Sequence, residues 1–505
     1  MTFHSLGFVF AFLPFWLVGF IVVARRWGSE AGLLWLIAAS LSFHAAAGSP
    51  SLGVLSVSVL GNYGFAQALR SYANRRAAAR RLLAAGIAAN LALLAYCKYV
   101  NFFVDGPNAV FGTAVGHLQL LLPLGISFYT LIQIGYLADV YSGRARPFGI
   151  DRHVLFAAFF PYAAAGPIVV HKDMAPQYDH VGRKPLDLSP IVTGLTVFAI
   201  GLFKKLVLAD SLAPHADALF NGAASGAALN PLSAWVGALA YTLQLYFDFS
   251  GYCDMALGIG CMFGLRLPLN FDSPFKAVGI MDFWRRWHMT MTRFFSIYVF
   301  TPMASWRVRH LVLRDDSRTM HFLNATAAPA IYTFALAGLW HGAGWTFVAF
   351  GLLHGLALVI NHAWREWSLP ALPKLVGWGL TMSVVIAGMV LFRSDSLATA
   401  GGILAALAGL AGAGHAPVPL SPAALREAGA LIAVLGAIVL LAPNTQQLMH
   451  GHKYWHTSDP APEPVKDHAW LAWRPSPAWA AVTAVLLVLA ISAMGGAGRL
   501  SYHDF

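Results

Sequence analysis

Residues 328–350 read APAIYTFALAGLWHGAGWTFVAF, an apolar stretch long enough to cross a lipid bilayer. One histidine, His341, lies in it between a tryptophan and a glycine, and the block Gly351-Leu352-Leu353-His354-Gly355 follows directly. Placing an imidazole in hydrocarbon costs free energy unless the ring is hydrogen-bonded or hydrated. Histidine is also well suited to proton transfer near neutral pH. The stretch therefore predicts a membrane protein with a candidate site at His341.

The composition of the whole chain also indicates a membrane protein. Of its 505 residues, 58% are hydrophobic and 11% are charged, whereas a soluble domain carries about 25% charged residues. Apolar segments recur along the chain and predict an all-α polytopic membrane protein with about 11–13 crossings, because lipid offers no partner to open backbone. The candidate spans are 5–23, 31–47, 51–69, 82–104, 118–140, 153–170, 190–209, 232–250, 328–350, 375–393, 427–443 and 477–495; the shorter runs 351–363 and 400–413 are read as half-helices or as ends of neighbouring helices.

Basic residues indicate which loops face the cytoplasm, where lysine and arginine accumulate. Arg25 and Arg26 follow the first candidate span, basic residues at 70–81 follow the third and those at 144–152 follow the fifth, whereas the loop 105–117 has none. This alternation predicts an N-terminus on the outer face and accounts for the net charge of +11, so nucleic-acid binding is not expected. No basic region precedes the first apolar run, which argues against a cleaved signal peptide.

Two stretches do not read as plain spans. The stretch 251–321 carries many charges and three prolines, and non-helical backbone at membrane depth is tolerated where protein buries it or water lines it. It is therefore predicted to be the re-entrant floor of a site, and 444–476 is predicted to be a loop. The chain 1–505 is expected to form one membrane domain, with N-terminal helices at 1–117, a catalytic core at 118–363 and C-terminal helices at 364–505.

The block Phe283-Trp284-Arg285-Arg286-Trp287-His288 is the second candidate constellation. If it is helical, Trp284 and His288 share a face, Trp287 lies beside them, and Asp282 forms one ion pair with a following arginine. An interfacial helix is the alternative for the tryptophans and arginines, since both favour the headgroup region. A second histidine of this kind is what acid–base chemistry requires, which favours a functional role for His288.

Two carboxylates in an apolar segment form the third constellation. Asp248 and Asp254 lie six residues apart with Ser250 between them, and carboxylates in such surroundings need cationic partners. We expect them to be scaffolding of the site rather than its base. The candidate partners are Arg266, Arg285 and Arg286.

No metal site is expected from the histidines and cysteines. His341 and His354 are thirteen residues apart and would face apart on one helix, with no carboxylate spaced to complete a ligand set. The three cysteines, Cys97, Cys253 and Cys261, follow no metal-binding or disulfide pattern and are expected to be small buried residues.

Several short blocks of this chain together resemble the membrane-bound O-acyltransferase (MBOAT) family. The resemblance covers most of the chain and is nearest to the bacterial branch with the membrane proteins of alginate O-acetylation and of teichoic-acid D-alanylation. The blocks are Pro123-Leu124-Gly125-Ile126-Ser127-Phe128-Tyr129, Tyr136 to Tyr141, Phe159-Phe160-Pro161, Gly166-Pro167-Ile168, Gly201-Leu202-Phe203-Lys204-Lys205, Asp248 to Asp254, Asn270-Phe271, Trp284 to His288, Trp340-His341-Gly342, Leu391-Phe392-Arg393-Ser394 and Pro443-Asn444-Thr445.

The resemblance implies a fold and a site. The fold is a ring of helices around a thin centre, with re-entrant helices and a tunnel from the cytoplasm to the exterior. The site implied is a catalytic His341, with His288 beside it in the tunnel. The other residues expected at the site or tunnel are Trp340, Trp284, Arg285, Arg286, Trp287, Asn270, Asp248, Ser250 and His354.

The resemblance also implies a reaction and its participants. An acyl group, taken to be acetyl, would pass from a cytoplasmic thioester such as acetyl-CoA, or from an acyl carrier protein, toward an extracytoplasmic polysaccharide. The bacterial inner membrane is the expected location, and no metal is implied. Relatives commonly pass the group to a separate periplasmic or membrane-anchored hydrolase-like acetyltransferase.

Two features qualify the resemblance. Close relatives carry an Asp-Tyr pair and a Gly-Gly-Asn-Arg turn after the Trp-Arg-Arg-Trp-His block, whereas here 295–307 keep Tyr298 and Pro302 but not the aspartate or the glycines. This departure leaves the donor and the polysaccharide open. The ending Tyr502-His503-Asp504-Phe505 resembles a tail in which the tyrosine is proposed to carry the acyl group; an unstructured tail is the alternative, and it is favoured.

Two other functions fit the same apolar pattern. A polytopic transporter or a flippase of lipid-linked saccharide would explain the spans and the buried charges, but it predicts repeated halves that this sequence does not show. A structural membrane partner with an inactive site would explain the resemblance, but it gives no reason to keep His288 and His341.

Overall fold

The computed structural model describes residues 1–113, 115–118, 120–182, 188–312, 317–410, 421–450, 456–457 and 471–494. Within these ranges the regular structure is helical, apart from one isolated β-bridge between Leu267 and His456. Eight of the described helices are long and apolar enough to cross a membrane. The chain is therefore an all-α, multi-pass membrane protein, as the composition predicts; the figure of about 11–13 crossings stays a prediction.

The helices before the histidine blocks include most of the predicted N-terminal spans. They are α1 (Leu13–Trp27), α2 (Ser29–Ala45), α3 (Ser49–Ser71), α4 (Arg76–Leu94), α5 (Val100–Phe111) and α6 (Ile126–Tyr141). A π-helical turn, Ala95–Tyr99, joins α4 to α5. The predicted span 118–140 is too long, because helix α6 begins only at Ile126. Gly125 just before it has φ +74°, and a Cβ there would overlap the carbonyl oxygen of Ala163.

The middle of the chain departs most from simple spans. Its helices are α7 (Ile150–Ala158), α8 (Phe160–Ala163), α9 (His171–Tyr178), α10 (Ser189–Phe203), α11 (Ala213–Ala224), α12 (Pro231–Met262), α13 (Ile280–Arg286), α14 (Met289–Phe295) and α15 (Thr301–Leu311). The predicted span 153–170 is not one helix, because Pro161 has no N–H to continue α7, which ends at Ala158; the next helix, α8, is a single turn. The expectation that 251–321 is not a plain helix is wrong for 251–262, which continue α12, and holds for the broken segment after Met262.

The C-terminal helices begin beyond the broken segment. They are α16 (Arg318–Phe322), α17 (Ala328–His341), α18 (Trp345–Glu366), α19 (Lys374–Arg393), α20 (Leu397–Leu407), α21 (Pro422–Leu441), α22 (Thr445–Leu448) and α23 (Pro477–Ala493). The described part of the predicted loop 444–476 includes one short α-helix, the single turn α22.

The predicted span 328–350 is wrong, because two antiparallel helices meet there. Helix α17 ends at His341 and α18 begins at Trp345, with Gly342 and Gly344 extended between them. The helices pack backbone to backbone, since a Cβ on Gly338 would overlap the carbonyl oxygen of Phe347 on α18. Run 351–363 is part of α18, not a separate half-helix. The hairpin places His341 at its turn.

Helices α10 and α12 also cross at close range. A Cβ at Gly201 would lie 2.5 Å from the carbonyl oxygen of Gly251, and one at Gly258 would lie 2.5 Å from that of Gly194. Small residues allow this approach, which adds dispersion contacts where lipid gives no hydrophobic drive between helices. The crossing anchors α12, which carries Asp248 and Asp254.

Replacing Gly258 with leucine is expected to destabilise the protein, because the side chain has no space against α10. Overpacking costs about 1–3 kcal/mol and sometimes more, so the midpoint of thermal unfolding in detergent should fall. Gly429→Leu on α21 is the matched control, since a Cβ there meets no atom within 4 Å. Equal melting of Gly258→Leu and wild type would show that the crossing is not tightly packed.

Candidate active site

His341 lies at the last residue of α17, in an aromatic enclosure built by several helices. Its ring centroid is 5.0 Å from that of Trp340, 5.1 Å from Phe392 on α19 and 6.0 Å from Phe350 on α18. The side chain is buried, with 6% of its surface exposed. Phe392 belongs to the Leu391–Ser394 block, so two distant blocks of the sequence meet at this ring.

His288 occupies a strained position between α13 and α14. Its backbone has φ +45° and ψ +50°, a left-handed conformation that non-glycine residues rarely adopt. The prediction that Trp284 and His288 share a helix face is wrong, because α13 ends at Arg286 and Trp287 is extended. Such strain is kept only where the surroundings enforce it, and it often occurs at functional sites.

Asn270 determines how the His288 ring is held. The His288 Nδ1 atom lies 3.0 Å from Asn270 Oδ1, and the same oxygen accepts from the backbone N–H and the hydroxyl of Thr290, at 3.2 and 2.9 Å. The Asn270 amide nitrogen lies 3.2 Å from Cys253 Sγ and donates to it. With Oδ1 as acceptor, this network gives Nδ1 the proton and leaves Nε2 as the basic nitrogen of a neutral ring.

The fold brings the two histidines together from separate segments. Their ring centroids are 6.3 Å apart, and the centroid of Trp340 lies 6.3 Å from that of His288. Both side chains are buried, and Phe249 of α12 covers the edge of the His288 ring at 4.8 Å. Two imidazoles at this separation in an apolar enclosure can act on one small reacting group from two sides.

Other residues of the Trp284–His288 block face different neighbours. Trp284 Nε1 donates to His354 Nδ1 at 3.3 Å, so His354 supports this tryptophan from α18. Trp287 stacks on Phe283 at 5.6 Å rather than flanking His288. Arg286 pairs with Asp282 at 2.8 Å, which confirms the expected ion pair along the helix.

The aspartates of α12 are paired, but the predicted partners are wrong. Asp248 lies 3.2 Å from Lys205 Nζ, and Asp254 lies 2.6 Å from Lys204 Nζ. None of the described ion pairs joins these aspartates to Arg266, Arg285 or Arg286, because the crossing of α10 with α12 places the lysines nearest. The lysines belong to the Gly201–Lys205 block, but no rule of spacing connects that block with α12.

The remaining predicted residues have no shown role at the site. Ser250 is buried on α12, and its hydroxyl has no hydrogen-bond partner among the described residues. Tyr502 lies outside the described residues. Within them, no group of three or more histidine, cysteine or acidic side chains is arranged to hold a metal ion. Cys97, Cys253 and Cys261 are not joined in disulfides; Cys253 and Cys261 are buried, as expected, whereas Cys97 is only partly buried.

Sequence reasoning missed one part of the enclosure. Lys98 and Tyr99, in the π-helical turn after α4, donate to backbone carbonyls at the end of α17. Trp340 is held from the same side, since its indole N–H donates to the carbonyl of Ser127 at 3.2 Å. The sequence feature that could have indicated this contact is a lysine inside the apolar segment 82–104.

Comparison with known proteins assigns the class that this fold and site define. The model of the membrane-bound O-acyltransferase family matches residues 152–392. The peptidoglycan O-acetyltransferase of Helicobacter pylori is 39% identical over 443 residues, covering 82% of this chain and 80% of that protein. The chain belongs to the membrane-bound O-acyltransferase family and is an O-acyltransferase, which replaces the transporter and flippase alternative.

Two further relatives show the breadth of the similarity. The probable alginate O-acetylase of Azotobacter vinelandii is 36% identical over 416 residues, covering 81% of this chain and 78% of that protein. The teichoic acid D-alanyltransferase of Streptococcus thermophilus is 28% identical over 300 residues, covering 55% of this chain and 70% of that protein. The match includes both branch members that the sequence blocks resemble.

Replacing Asn270 with leucine is expected to lower kcat by about 10²-fold or more, because His288 loses the acceptor that orients its ring and sets its tautomer. Asn270→Asp keeps an oxygen acceptor at nearly the same size and should retain more activity than Asn270→Leu. The measurement is the turnover of acyl transfer by purified protein in nanodiscs, at matched folded fractions. Equal rates for both variants would show that the acceptor oxygen is not what matters at this position.

Proposed function

We propose that this protein transfers an acetyl group from a cytoplasmic thioester to a hydroxyl acceptor on the outer side, for O-acetylation of an extracytoplasmic polysaccharide. One observation carries the proposal: in a chain of this family, two buried imidazoles converge to 6.3 Å at the turn of a helical hairpin. The names of the relatives include peptidoglycan O-acetyltransferase and alginate O-acetylase, which favours acetyl as the group and a polysaccharide as the final acceptor. The inner membrane is the proposed location.

The proposed reaction uses His341 as the general base. It takes the proton from the acceptor hydroxyl while the hydroxyl oxygen attacks the thioester carbonyl carbon, and the carbon–sulfur bond then breaks. The departing thiolate takes up the proton held by the imidazole, so the enzyme returns to its starting state. His288 orients the acceptor: with its proton on Nδ1, the Nε2 atom of the neutral ring can accept a hydrogen bond from the acceptor.

Two cavities that share Arg285 support a donor route close to the segments that carry the histidines. One, of about 320 Å³, is lined by Trp284, Thr292, Thr333 and Ala337, and Ala337 lies one helical turn before His341. The hydroxyls of Thr292 and Thr333 are buried and have no hydrogen-bond partner among the described residues. The mixture of apolar walls and spare hydroxyls suits a chain of methylene and amide groups, as in the arm of a pantetheine thioester.

The second cavity suits the phosphate end of such a donor. It has a volume of about 750 Å³ and is lined by Arg285, Asn361, Trp364 and Arg365. Neither arginine takes part in an ion pair of the described residues, and arginine is well shaped to bind phosphate. Arg365 also lies near the end of α18 opposite to His341, so we propose that this cavity opens to the cytoplasm, where basic residues accumulate.

The final acceptor is proposed to receive the group from a separate protein. A periplasmic or membrane-anchored hydrolase-like acetyltransferase would take the acetyl group on the outer side, since a polymer cannot enter a narrow enclosure between helices. Radiolabel from the thioester should then reach a polymer only when such a partner is present in the same membranes. The sequence blocks leave the polymer itself open.

Replacing His341 with alanine is expected to abolish detectable transfer, because general-base help contributes about 10² to 10⁴ in rate. His288→Ala should be severe but leave a trace of activity. The assay follows labelled acetyl from a thioester to acceptor in proteoliposomes with purified protein. His153→Gln is the control, because it replaces another buried histidine, which lies 3.2 Å from the carbonyl of Val59.

The outcomes separate the competing functions. Transfer at the wild-type rate by His341→Ala would overturn the assignment of the base. Wild-type protein without transfer, although folded and supplied with thioester and acceptor, would favour a structural partner with an inactive site.

Replacing Arg285 with methionine is expected to raise the KM for the thioester donor by roughly 10-fold to 100-fold with a smaller change in kcat, as for loss of a hydrogen bond to a charged group. Arg318→Met is the control, because Arg318 forms an exposed ion pair with Glu366. The comparison uses initial rates over a range of donor concentrations. An unchanged KM in Arg285→Met would remove this donor site from the proposal.

A further inference from the structure

The backbone carbonyl groups at the end of α17 need hydrogen-bond donors from elsewhere in the protein. A helix leaves its last carbonyls without intrahelical partners, and these need other donors when they are buried. Here the chain turns at once into extended backbone, because Gly342 has φ −161° and ψ +155°. No backbone N–H of the following turn is therefore placed to close the helix in the usual way. The residue at this open end is His341.

Two side chains of the π-helical turn Ala95–Tyr99 supply the missing donors. Lys98 Nζ lies 2.7 Å from the carbonyl oxygen of His341 and 2.8 Å from that of Trp340. Tyr99 donates its hydroxyl to the carbonyl oxygen of Leu339 at 2.7 Å. Three consecutive terminal carbonyls thus have donors from one turn of another helix.

Lys98 and Tyr99 are neighbours in the sequence and lie at the end of a π-helical turn. Adjacent side chains on a regular α-helix point about 100° apart. The turn that ends at Tyr99 follows a different path, and Lys98 and Tyr99 both reach the end of α17. Single π-helical turns inside longer helices are frequent at functional sites.

The charge of Lys98 distinguishes it from the other lysines near the centre. Lys204 and Lys205 each pair with an aspartate, whereas none of the ion pairs among the described residues includes Lys98. Its Nζ atom instead faces the negative end of the α17 dipole, a position that favours a cation. A lysine in an apolar segment ordinarily extends its side chain toward the headgroups; this one is turned onto backbone carbonyls.

We propose that Lys98 is a positioning residue of the acyl-transfer site. Its Nζ group donates to the carbonyls of Trp340 and His341 and so holds the last turn of α17 rigid, which fixes the direction of the His341 imidazole. Tyr99 assists as a neutral donor. This inference rests on the proposed function of His341 as the base. A displacement of about 1 Å at a reacting group can cost about 10²-fold in rate, so the clamp acts on catalysis rather than on substrate binding.

The kinetic test compares four single variants in nanodiscs. Lys98→Met should lower kcat by about 10-fold to 100-fold, with the KM values for donor and acceptor within about twofold of wild type. Lys98→Arg keeps a cation with several donors and should recover most of the rate, and Tyr99→Phe should lose less than Lys98→Met. Lys276→Met is the matched control, since Lys276 donates to the carbonyl of Ala442 at the end of α21; it should keep the wild-type kcat.

A second measurement does not depend on activity. Hydrogen–deuterium exchange with mass spectrometry should show faster amide exchange in residues 337–345 of Lys98→Met, and unchanged exchange at the far end of α18. The expected pattern is local fraying with an unchanged midpoint of thermal unfolding. If Lys98→Met cannot be obtained folded, Lys98→Gln replaces it, because glutamine keeps a donor but removes the charge.

The two measurements together separate the possible failures. Wild-type kcat or wild-type exchange in the methionine variant would overturn the clamp. Exchange raised throughout the protein would also overturn it, because Lys98 would then be an ordinary stability residue. Absence of transfer in the wild type would refute the proposed function, while local fraying in Lys98→Met would still establish the contact with α17.

Discussion

Polar groups inside a bilayer must find their partners within the protein, and this requirement organises the structure around the two histidines. The broken segment after Met262 can lie among buried helices because the polar groups around His288 are paired. Asn270 is the centre of that pairing, since its side chain joins His288 and Thr290 to Cys253 of α12. The hydroxyl of Thr290 in turn accepts from the backbone N–H of Ile168 at 2.9 Å. One amide side chain therefore links the histidine to several segments.

The same requirement accounts for the charges at the centre of the chain. Asp254 is held by Lys204 and by the hydroxyl of Thr445, at 2.6 and 2.7 Å, and Lys205 joins Asp248 to Asp210. Buried ion pairs are poor sources of stability, but removing one partner leaves an uncompensated charge. These pairs therefore specify which helices meet, and the glycines of α10 and α12 let the backbones approach closely enough for them to form. The resulting position of α12 holds the Phe249 ring in contact with the ring of His288.

Part of the fold and of the site could be predicted from the sequence, and the errors have a common cause. Hydropathy identified most of the spans, and the block around His341 contains the turn of the helical hairpin. Apolar length failed at 328–350, helical periodicity failed at Trp284–His288, and the arginines expected to pair with Asp248 and Asp254 are not their partners. Each of these depends on a neighbour that lies outside the same helix: the packing of Gly338 against α18, the hydrogen bond of Asn270 to His288, and the position of Lys205 beside α12. A local sequence pattern gives no information about such neighbours.

The sequence by itself determined that the chain is helical, lies in a membrane and belongs with O-acyltransferases, because hydrophobicity, charge distribution and short residue blocks are properties of the chain alone. Only the tertiary structure decided that His288 and His341 approach to 6.3 Å, that Phe392 closes the enclosure and that Lys98 reaches the end of α17. The physical reason is that each of these contacts joins segments between about fifty and 240 residues apart. Helix packing sets such distances, and the demand of buried polar groups for partners selects among the possible packings.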